Sequence, residues 1–409
     1  MKIRSVTVLT DVSVDEPELA LAQAANFLHG AVPVFERAGF PVQTRRVATQ
    51  PFPRLLEKAG PGLTVSFSMA VQDLIKTYGI DYASLGPVCA TDDPDYLEAI
   101  PALIGATETV FAAIDLTAGG AIDLPFARRA ADAIRRVSTL TEDGLSNLFL
   151  AVLANVPPGA PFFPAAYHAR GQRPRFALAI EAADLAVEAF DGAETLAEAA
   201  DRLRDRVQEA AWRLADTAES LAREFELPFG GIDFSLAPYP QDTASLGGAL
   251  ERLGASVGGA GSALAAAVIT SALDRVEMAR AGFNGLMLPV LEDSVLARRA
   301  AEGRLTTTDL LLYSAICGTG LDTIPLPGDV SLEALAGLLL DIAALALRLD
   351  KPLTARLMPL PGKAAGDDTG LESFEYFAPG RVMHAPEGIA PDGLMAGHGA
   401  IVIEPRLRR

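Results

Sequence analysis

The stretch from Leu321 to Met358, LDTIPLPGDVSLEALAGLLLDIAALALRLDKPLTARLM, decides the fold class. Its two ends, Leu321–Leu326 and Thr354–Met358, are short apolar runs bounded by Gly and Pro, which is typical of strands. Between them, Leu332–Leu349 is a helical stretch that is apolar nearly all round, which predicts burial on both sides. A strand, a helix and a second strand in this order predict a parallel α/β sheet.

The same alternation of short strand-like runs and helical stretches extends over the rest of the chain. Since no Ser/Gly-rich linker interrupts it, we expect one α/β domain over residues 1–409, built as a large barrel or a doubly wound sheet. Residues 1–360 form its core in this interpretation, and the Gly- and Pro-rich residues 361–409 wrap the surface. The ten predicted strands are Ile3–Thr10, Val42–Val47, Tyr82–Pro87, Thr109–Asp115, Phe149–Asn155, Phe176–Ile180, Ile232–Ala237, Gly285–Leu291, Leu321–Leu326 and Thr354–Met358.

The composition excludes several classes of function. The chain has 409 residues, half of them apolar, and a net charge of −18. Phosphate-binding surfaces need clustered Lys and Arg, so neither nucleic acid nor an anionic membrane surface is an expected partner. The longest apolar run, Leu335–Leu347, contains Asp341 and is too short to span a bilayer. Two cysteines make no disulfide framework and the first residues resemble no signal peptide, so we expect a cytoplasmic protein.

Polar side chains occur at the ends of three predicted strands, where ligands bind in parallel α/β sheets. They are Asp233 and Ser235 in GGIDFSLAP, Glu292 and Asp293 in LMLPVLED, and Cys317, Thr319 and Asp322 in CGTGLDTIPLPGD. A buried carboxylate must be paired or neutral, so Asp233 and Asp322 need donors, and Arg356 on the strand TARLMP is a candidate. The pattern indicates either a ligand site or structural salt bridges between strands.

The Pro-rich stretch from Asn155 to Pro174 predicts a long ordered loop, which in enzymes is usually a lid or the wall of a site. His168 in this loop is either a catalytic base or an exposed histidine. Cys317 follows a helix and precedes Gly318 and Gly320, so it is either a nucleophile or a small side chain at a tight turn.

Two further patterns concern cofactors. Glu181 and Asp184 are spaced to share one helix face, where they could hold a divalent metal ion or a cationic group, or form a solvated face. Gly258, Gly259 and Gly261 precede a helix, but they follow a helix rather than a strand and fail the dinucleotide fingerprint. The sequence therefore predicts no nucleotide-binding motif and leaves the cofactor unknown, with a metal ion as one alternative.

Four segments carry a resemblance to a known family: ANVPPGAPFFPAAYH (154–168), GIDFSLAPYP (231–240), GLMLPVLED (285–293) and CGTGLDTIPLPGD (317–329). In this order they resemble the uncharacterised family catalogued as domain of unknown function 711, and the similarity extends from about Lys2 to beyond Arg381. The resemblance implies a ten-stranded α/β barrel of two antiparallel half-barrels with outer helices, related in fold to pyruvate formate-lyase and ribonucleotide reductase.

The radical chemistry of those relatives is not expected here. A glycyl radical enzyme carries an RVxGY-type motif near its C-terminus, whereas Arg381 and Val382 are followed by Met383 and His384. Ribonucleotide reductase needs several redox cysteines, and this chain has two. The resemblance thus implies a fold without assigning catalytic residues.

These observations predict a non-radical enzyme that acts on a small polar or anionic metabolite at the barrel mouth. The candidate catalytic residues are Asp233, Cys317, Asp322 and His168; the candidate substrate-binding residues are Asn155, Ser235, Glu292, Asp293, Thr319 and Arg356; the candidate metal ligands are Glu181 and Asp184. The alternatives are a metabolite sensor without catalysis and an assembly protein that uses the long helix Thr195–Phe225 as an interface. We expect a homo-oligomer.

Overall fold

Nine strands form one sheet in the computed structural model, which describes residues 1–316 and 318–406. Their order in the sheet is β8-β7-β1-β2-β3-β4-β6-β10-β9, and two further strands, β5 and β11, pair separately. The strands are β1 Lys2–Leu9, β2 Arg45–Ala48, β3 Tyr82–Cys89, β4 Val110–Asp115, β5 Ala121–Asp123, β6 Leu150–Ala154, β7 Arg175–Glu181, β8 Phe229–Ala237, β9 Gly320–Pro327, β10 Leu353–Leu360 and β11 Ala400–Val402.

The nine-stranded sheet is mixed and consists of two groups of parallel strands. The first group is β1, β2, β3, β4 and β6, and the second, which runs in the opposite direction, comprises the two edge pairs β7 with β8 and β9 with β10. The groups join where β1 pairs antiparallel with β7 and where β6 pairs antiparallel with β10. The prediction of a mostly parallel α/β sheet is therefore confirmed.

Residues 280–290 lie between the two edge strands of the sheet, β8 and β9. Isolated parallel bridges connect Ile232 with Arg280 on one side, and Leu286 with Gly318 on the other side. The predicted strand Gly285–Leu291 is thus not a regular strand. Asn284 has a φ of 50° and Pro289 has no N–H group, so this backbone does not continue a regular ladder on either side.

Helices separate most of the strands. They are α1 Pro17–Arg37, α2 Phe52–Leu55, α3 Thr64–Thr77, α4 Pro94–Ala106, α5 Leu124–Ser138, α6 Ala183–Phe190, α7 Leu196–Glu224, α8 Leu246–Arg252, α9 Ser262–Asp274, α10 Ser294–Ala301, α11 Thr307–Ile316 and α12 Leu332–Leu349. Side-chain caps begin several of them: Ser331 Oγ accepts from Ala334 N at α12, and Thr195 Oγ1 accepts from Glu198 N at α7. Among the described helices, none combines the length and apolar character needed to cross a membrane.

The two faces of the sheet pack against different partners, following the two-residue period of the strands. Ile114 and Val152 belong to the main core, which the surrounding helices complete. Their neighbours Ala113 and Ala151 point to the opposite face and pack against residues of the loop 155–174. We call this loop the central loop. Because Ala113 and Ala151 are small, the central loop can pack closely on this face of the sheet.

Hydrogen bonds attach the central loop to the sheet. The carbonyl of Pro161 accepts from Ser5 Oγ at 3.3 Å and from Thr7 Oγ1 at 3.1 Å. The carbonyl of Ala166 accepts from Ser84 Oγ at 2.7 Å. Buried strand hydroxyls therefore satisfy loop carbonyls that water does not reach.

The residues after β10 pack over one end of the sheet. Leu371, Phe377 and Val382 form a small core with Leu148 and Met358. Farther on, β11 pairs antiparallel with β5. The surface wrap expected for residues 361–409 stays a prediction. The single-domain organisation, the cytoplasmic location and the homo-oligomer stay predictions.

Candidate functional site

A cavity of about 210 Å³ lies between the central loop and the strands. It opens among the first residues of β1, β2, β3, β4 and β6, and among residues of β9 and β10. Its charged lining residues are Arg4, Arg46, Glu292, Asp322 and Arg356. The uncharged ones are Gln43, Thr44, Tyr82, Phe111, Leu145, Leu148, Phe149, Ala151, Phe162, Phe163, Pro164, Ala165, Phe283, Met287, Thr319, Thr354, Phe374 and Tyr376.

Two arginines and three carboxylates form a continuous set of ion pairs beside the cavity, which we call the ion-pair network. Arg356 Nε donates to Asp322 Oδ1 at 2.6 Å, and its Nη2 donates to Glu292 Oε1 at 2.8 Å. Arg4 Nη2 donates to Glu292 Oε2 at 2.6 Å, and its Nη1 donates to Glu181 Oε2 at 3.3 Å. The network connects strands of both parallel groups through buried, charge-assisted hydrogen bonds.

Glu292 and Asp322 differ in how the network affects their ionisation. Burial disfavours the charged form of Glu292, but the guanidinium groups of Arg4 and Arg356 hold its pKa below the ordinary value. Burial raises the pKa of Asp322 against the lowering effect of Arg356, and the charge of Glu292 adds to the rise. Asp322 is therefore the carboxyl of this site that takes up a proton more readily.

Arg46 is the arginine of the cavity that stands apart from the ion-pair network. Its side chain is buried, and its Nε donates to Thr44 Oγ1 at 2.8 Å. Within residues 1–316 and 318–406, no carboxylate forms a salt bridge with it. Its guanidinium carbon lies 5.0 Å from the ring centre of Phe163 and 5.7 Å from that of Tyr82. Burial, together with the charge of Arg4, lowers the pKa of Arg46 to about 9, so the side chain is still a cation at neutral pH.

Aromatic side chains form much of the cavity surface. We call them the aromatic wall: Tyr82, Phe111, Phe149, Phe162, Phe163, Phe283, Phe374 and Tyr376. Phe111 is at its centre, with ring centres 5.3 Å from Phe163, 5.5 Å from Tyr82 and 4.7 Å from Phe149. Phe163 of the wall contacts Arg46, so an apolar surface lies next to a cation that forms no salt bridge within the described residues.

Comparison with known proteins places the chain in a family. The sequence profile described as "Uncharacterised ACR (DUF711)" matches residues 1–372. The chain belongs to this family. It is 34% identical over 354 residues to a UPF0210 protein of Pyrobaculum aerophilum, a match that covers 82% of this chain and 77% of the relative. UPF0210 proteins of Methanopyrus kandleri and Neisseria gonorrhoeae are 28% and 26% identical, over 87% and 86% of this chain and 82% and 80% of the relatives.

Four of the predicted site residues of this DUF711 protein line the cavity: Glu292, Thr319, Asp322 and Arg356. Asp322 lies on β9 and Arg356 on β10, whereas Thr319 directly precedes β9 and Glu292 follows the segment 280–290. The predicted pairing of Asp322 with Arg356 is confirmed by their 2.6 Å hydrogen bond. Cys317 lies outside the described residues.

Asp233 and Ser235 do not line the cavity but bind the backbone between β8 and β9. Asp233 accepts from the N–H of Phe283 at 2.7 Å, from the N–H of Asn284 at 3.1 Å and from Ser235 Oγ. Gly282 has a φ of 71° and lies so close to Asp233 Oδ2 that a Cβ at this position would collide with it. Both polar residues thus attach the segment 280–290 to β8.

Asp293 also accepts hydrogen bonds from backbone N–H groups. It accepts from Ser245 Oγ and Leu246 N, each at 2.6 Å, and from Gly247 N at 3.1 Å, at the start of α8. It accepts as well from Val295 N and Leu296 N, both at 3.0 Å, at the start of α10. One buried carboxylate therefore caps two helices.

The central-loop candidates lie away from the cavity lining. His168 is completely buried, its Nε2 lies 3.1 Å from the carbonyl oxygen of Gln172, and its Nδ1 has no hydrogen-bond partner among the described residues. Burial lowers the pKa of His168. Asn155 follows β6 and has a φ of 55°, and its Nδ2 donates to Asp350 Oδ1 at 3.3 Å.

The two predicted metal ligands have separate cationic partners. Glu181 pairs with Lys2 at 3.0 Å and with Arg4, whereas Asp184 pairs with the amino group of Met1. In the part of the chain that the structure describes, no group of three His, Cys, Asp or Glu side chains is arranged to hold a metal ion. Glu181 is the last residue of β7 and Asp184 lies in the first turn of α6, so the prediction that they share one helix face is wrong.

Sequence reasoning missed Arg4 and Arg46, which both lie on strands of the first parallel group. A signal was present: each arginine belongs to a short strand whose other residues are mostly buried, in KIRSVTVL and RRVA. Strands of a parallel sheet are buried on both faces, so an arginine within one needs a counter-ion or a ligand.

Proposed function

We propose that this protein is a non-radical enzyme that binds a small organic anion in the cavity. The observation that carries the proposal is Arg46, a buried cation that faces the cavity without a carboxylate partner among the described residues. A buried charge without a counter-ion is unfavourable, so a carboxylate or phosphate that enters would gain a charge-assisted hydrogen bond there. The planar guanidinium suits bidentate binding of either group.

Arg46 takes the role for which the sequence suggested Arg356. The guanidinium of Arg356 is already shared between Asp322 and Glu292. An entering anion would have to displace a buried carboxylate from Arg356, whereas at Arg46 it displaces none. We therefore assign anion binding to Arg46 and assign to Arg356 the positioning of the two carboxylates.

Asp322 is the group that we assign as the general acid–base. It lines the same cavity, and burial raises its pKa above that of an ordinary aspartate, which favours uptake of a proton. Arg356 Nε holds Oδ1 at 2.6 Å and thereby orients the carboxyl group. In this proposal Asp322 removes a proton from the bound anion or returns one to it, while Arg46 holds the negative charge.

We also propose that the sheet closes into the ten-stranded barrel of two antiparallel half-barrels that the family resemblance implies. Residues 280–290 would be the tenth strand. The support is that this segment bonds to both sheet edges: Met287 N donates to the carbonyl of Ser235 at 3.1 Å, and Val290 N donates to that of Asp322 at 3.0 Å. The central loop and the cavity would then lie inside the ring.

Binding of simple anions tests the anion site. The thermal shift of the purified chain is measured with pyruvate, benzoate and glycerol phosphate, and affinities are then measured by calorimetry. We expect saturable binding of at least one of them, weakened about tenfold or more in Arg46→Gln, because a charge-assisted hydrogen bond is lost. Arg170→Gln, which removes an exposed arginine, is the matched control and should bind like the parent. Binding that is equal in parent and Arg46→Gln would refute the assignment of Arg46.

A metabolite-binding protein without catalysis is the second candidate. The observation that favours it is that both carboxylates of the cavity, Glu292 and Asp322, are held by arginine. The variant Asp322→Asn separates the two candidates. If the protein is an enzyme, Asp322→Asn should keep its ligand affinity within about threefold of the parent, but it should lose turnover or the exchange of a ligand proton with D2O. If the protein only binds its ligand, the parent itself should show no such exchange.

A further inference from the structure

The aromatic wall is far richer in aromatic residues than the chain as a whole. Eight of the 23 residues that line the cavity are Phe or Tyr, whereas aromatic residues make up 6% of the sequence. A cavity that only had to bind a small hydrophilic anion would need polar donors in these positions. The enrichment indicates that the ligand has an apolar body with which ring faces and edges make contact.

The size of the cavity limits that body. An apolar protein cavity of about 150 Å³ holds one benzene molecule. The present cavity of about 210 Å³ therefore accommodates one six-membered ring with a short side chain and a small head group.

The charges beside the cavity limit the head group. Arg46 supplies one cation that has no carboxylate partner among the described residues, whereas Arg4 and Arg356 are neutralised by Glu181, Glu292 and Asp322. A monoanion can be neutralised by Arg46 alone. The second charge of a dianion, such as a phosphate monoester, would face Glu292 and Asp322 and be repelled. The site is therefore suited to a single carboxylate.

The relative position of wall and cation joins these two limits. The ring of Phe163 lies against the guanidinium of Arg46, with 5.0 Å between guanidinium carbon and ring centre, and Phe111 continues the wall with an edge contact to Phe163. A ligand ring packed edge-to-face on Phe111 or Phe163 leaves its carboxylate within reach of Arg46.

We propose that the ligand of this cavity is an aromatic monocarboxylate, whose carboxylate binds Arg46 and whose ring packs on the aromatic wall. This inference rests on the proposed function and names its substrate class. It predicts selection at both ends of the ligand: the ring over an aliphatic chain, and one negative charge over none or two.

The experiment compares ligands of nearly equal size by calorimetry at pH 7.5. The probes are 3-phenylpropionate, the aliphatic octanoate, the neutral 3-phenylpropionamide and the dianionic phenyl phosphate. We expect 3-phenylpropionate to bind about fivefold more tightly than octanoate, since aromatic pairs add to the gain from burial alone. The amide and phenyl phosphate should bind at least tenfold more weakly than 3-phenylpropionate.

Variants locate the selection on the wall. Phe163→Leu should remove the preference for 3-phenylpropionate over octanoate while leaving octanoate binding within about twofold. Phe225→Leu, at an aromatic residue that packs against the main core and not on the cavity, is the matched control and should keep the preference. Phe283→Leu provides a second wall variant if Phe163→Leu fails to fold by circular dichroism, and the comparison of ligands on the parent chain needs no variant.

The outcomes separate this inference from the proposed function. Equal binding of octanoate and 3-phenylpropionate, or tighter binding of phenyl phosphate, overturns the aromatic monocarboxylate and leaves the anion site standing. Binding of 3-phenylpropionamide as tightly as 3-phenylpropionate, or binding unaffected by Arg46→Gln, overturns the anion site itself. Preference for 3-phenylpropionate that depends on both Arg46 and Phe163 supports both proposals.

Discussion

Two adjacent carboxylates, Glu292 and Asp293, serve two different regions of the molecule. Glu292 faces the cavity and is bound by the guanidinium groups of Arg4 and Arg356. Asp293 faces the helices and is bound by four backbone N–H groups and the hydroxyl of Ser245. Both are buried. Whether a buried acid serves function or structure therefore depends on its partners. A ligand can rearrange side-chain partners, but it cannot rearrange the backbone N–H groups at the start of a helix.

The same contrast applies to Asp322 and Asp233. Asp322 has an arginine partner and lines the cavity, whereas Asp233 accepts from backbone N–H groups and attaches the segment 280–290 to β8. The region of backbone-bound acids should therefore govern stability. The cavity region should govern ligand binding, with a mixed effect on stability.

Replacing Asp293 should have the largest effect on stability. Replacing it by alanine leaves several buried N–H groups at the starts of α8 and α10 without an acceptor, and we expect a loss of about 4 kcal/mol in the free energy of unfolding. Asp293→Asn keeps one acceptor oxygen and should lose about half as much. Urea unfolding followed by circular dichroism measures both. A loss below about 1 kcal/mol for the alanine variant would contradict the double-cap interpretation.

Glu292→Gln tests the other member of the adjacent pair. The variant leaves Arg4 with Glu181 and Arg356 with Asp322, but it removes the charge that both arginines share, so we expect a loss of about 3 kcal/mol. The same urea experiment applies. Glu57→Gln, in an exposed pair with Arg170, is the control and should leave the midpoint unchanged. An unchanged midpoint for Glu292→Gln as well would mean that the ion-pair network does not stabilise the fold.

Asp233 should make stability depend on pH. Burial raises its pKa from 3.8 to about 6 in the folded chain, against the lowering effect of its hydrogen bonds. Because the folded chain binds this proton more tightly than the unfolded chain, the proton stabilises the fold. The contribution is complete at pH values below the pKa of the unfolded chain, and it disappears as the pH rises through about 6. Between pH 7 and pH 5 the parent should therefore gain about 1 kcal/mol relative to Asp233→Asn. If the difference in unfolding free energy between the two proteins is constant over this range, Asp233 does not titrate there.

Replacing Arg46 should have an effect about as small as the pH effect of Asp233, and it is the one substitution that we expect to raise stability. Because its buried charge has no carboxylate partner among the described residues, Arg46→Met should unfold at slightly higher denaturant, with a gain of about 1 kcal/mol. The same variant should lose binding of small anions. Arg356→Met is the comparison, since it breaks two ion pairs and should lose stability instead. A destabilised Arg46→Met would place Arg46 with the structural residues.

Much of the strand pattern was predictable from the sequence. Nine of the ten predicted strands overlap strands of the sheet, and the predicted helix Leu332–Leu349 has the same bounds as α12. These segments have a clear apolar pattern, and short-range signals such as Ser331 define their ends. The tenth, Gly285–Leu291, is not a regular strand because its backbone alternates between partners on two sides, which no local pattern shows.

The site was predictable only in part. Glu292, Thr319, Asp322 and Arg356 were identified because polar residues at the ends or in the middle of strands are unusual. The same signal selected Asp233 and Asp293, since a buried acid looks alike in sequence whether it binds an arginine or the backbone. Arg46 was missed because its importance depends on its having no carboxylate salt-bridge partner among the described residues, which is a property of the folded arrangement.

By itself, the sequence determined the alternation of strands and helices, the family, and the small residues that keep one face of the sheet open to the central loop. The alternation follows from local propensity and from the period of apolar residues, both of which act over a few neighbouring positions. Only the tertiary structure decided which charges meet. Arg4, Glu292 and Asp322 are far apart in the chain, whereas an electrostatic interaction depends on distance and burial in space. These side chains therefore form ion pairs only when the strands come together. The same holds for Arg46, which has no carboxylate partner among the described residues.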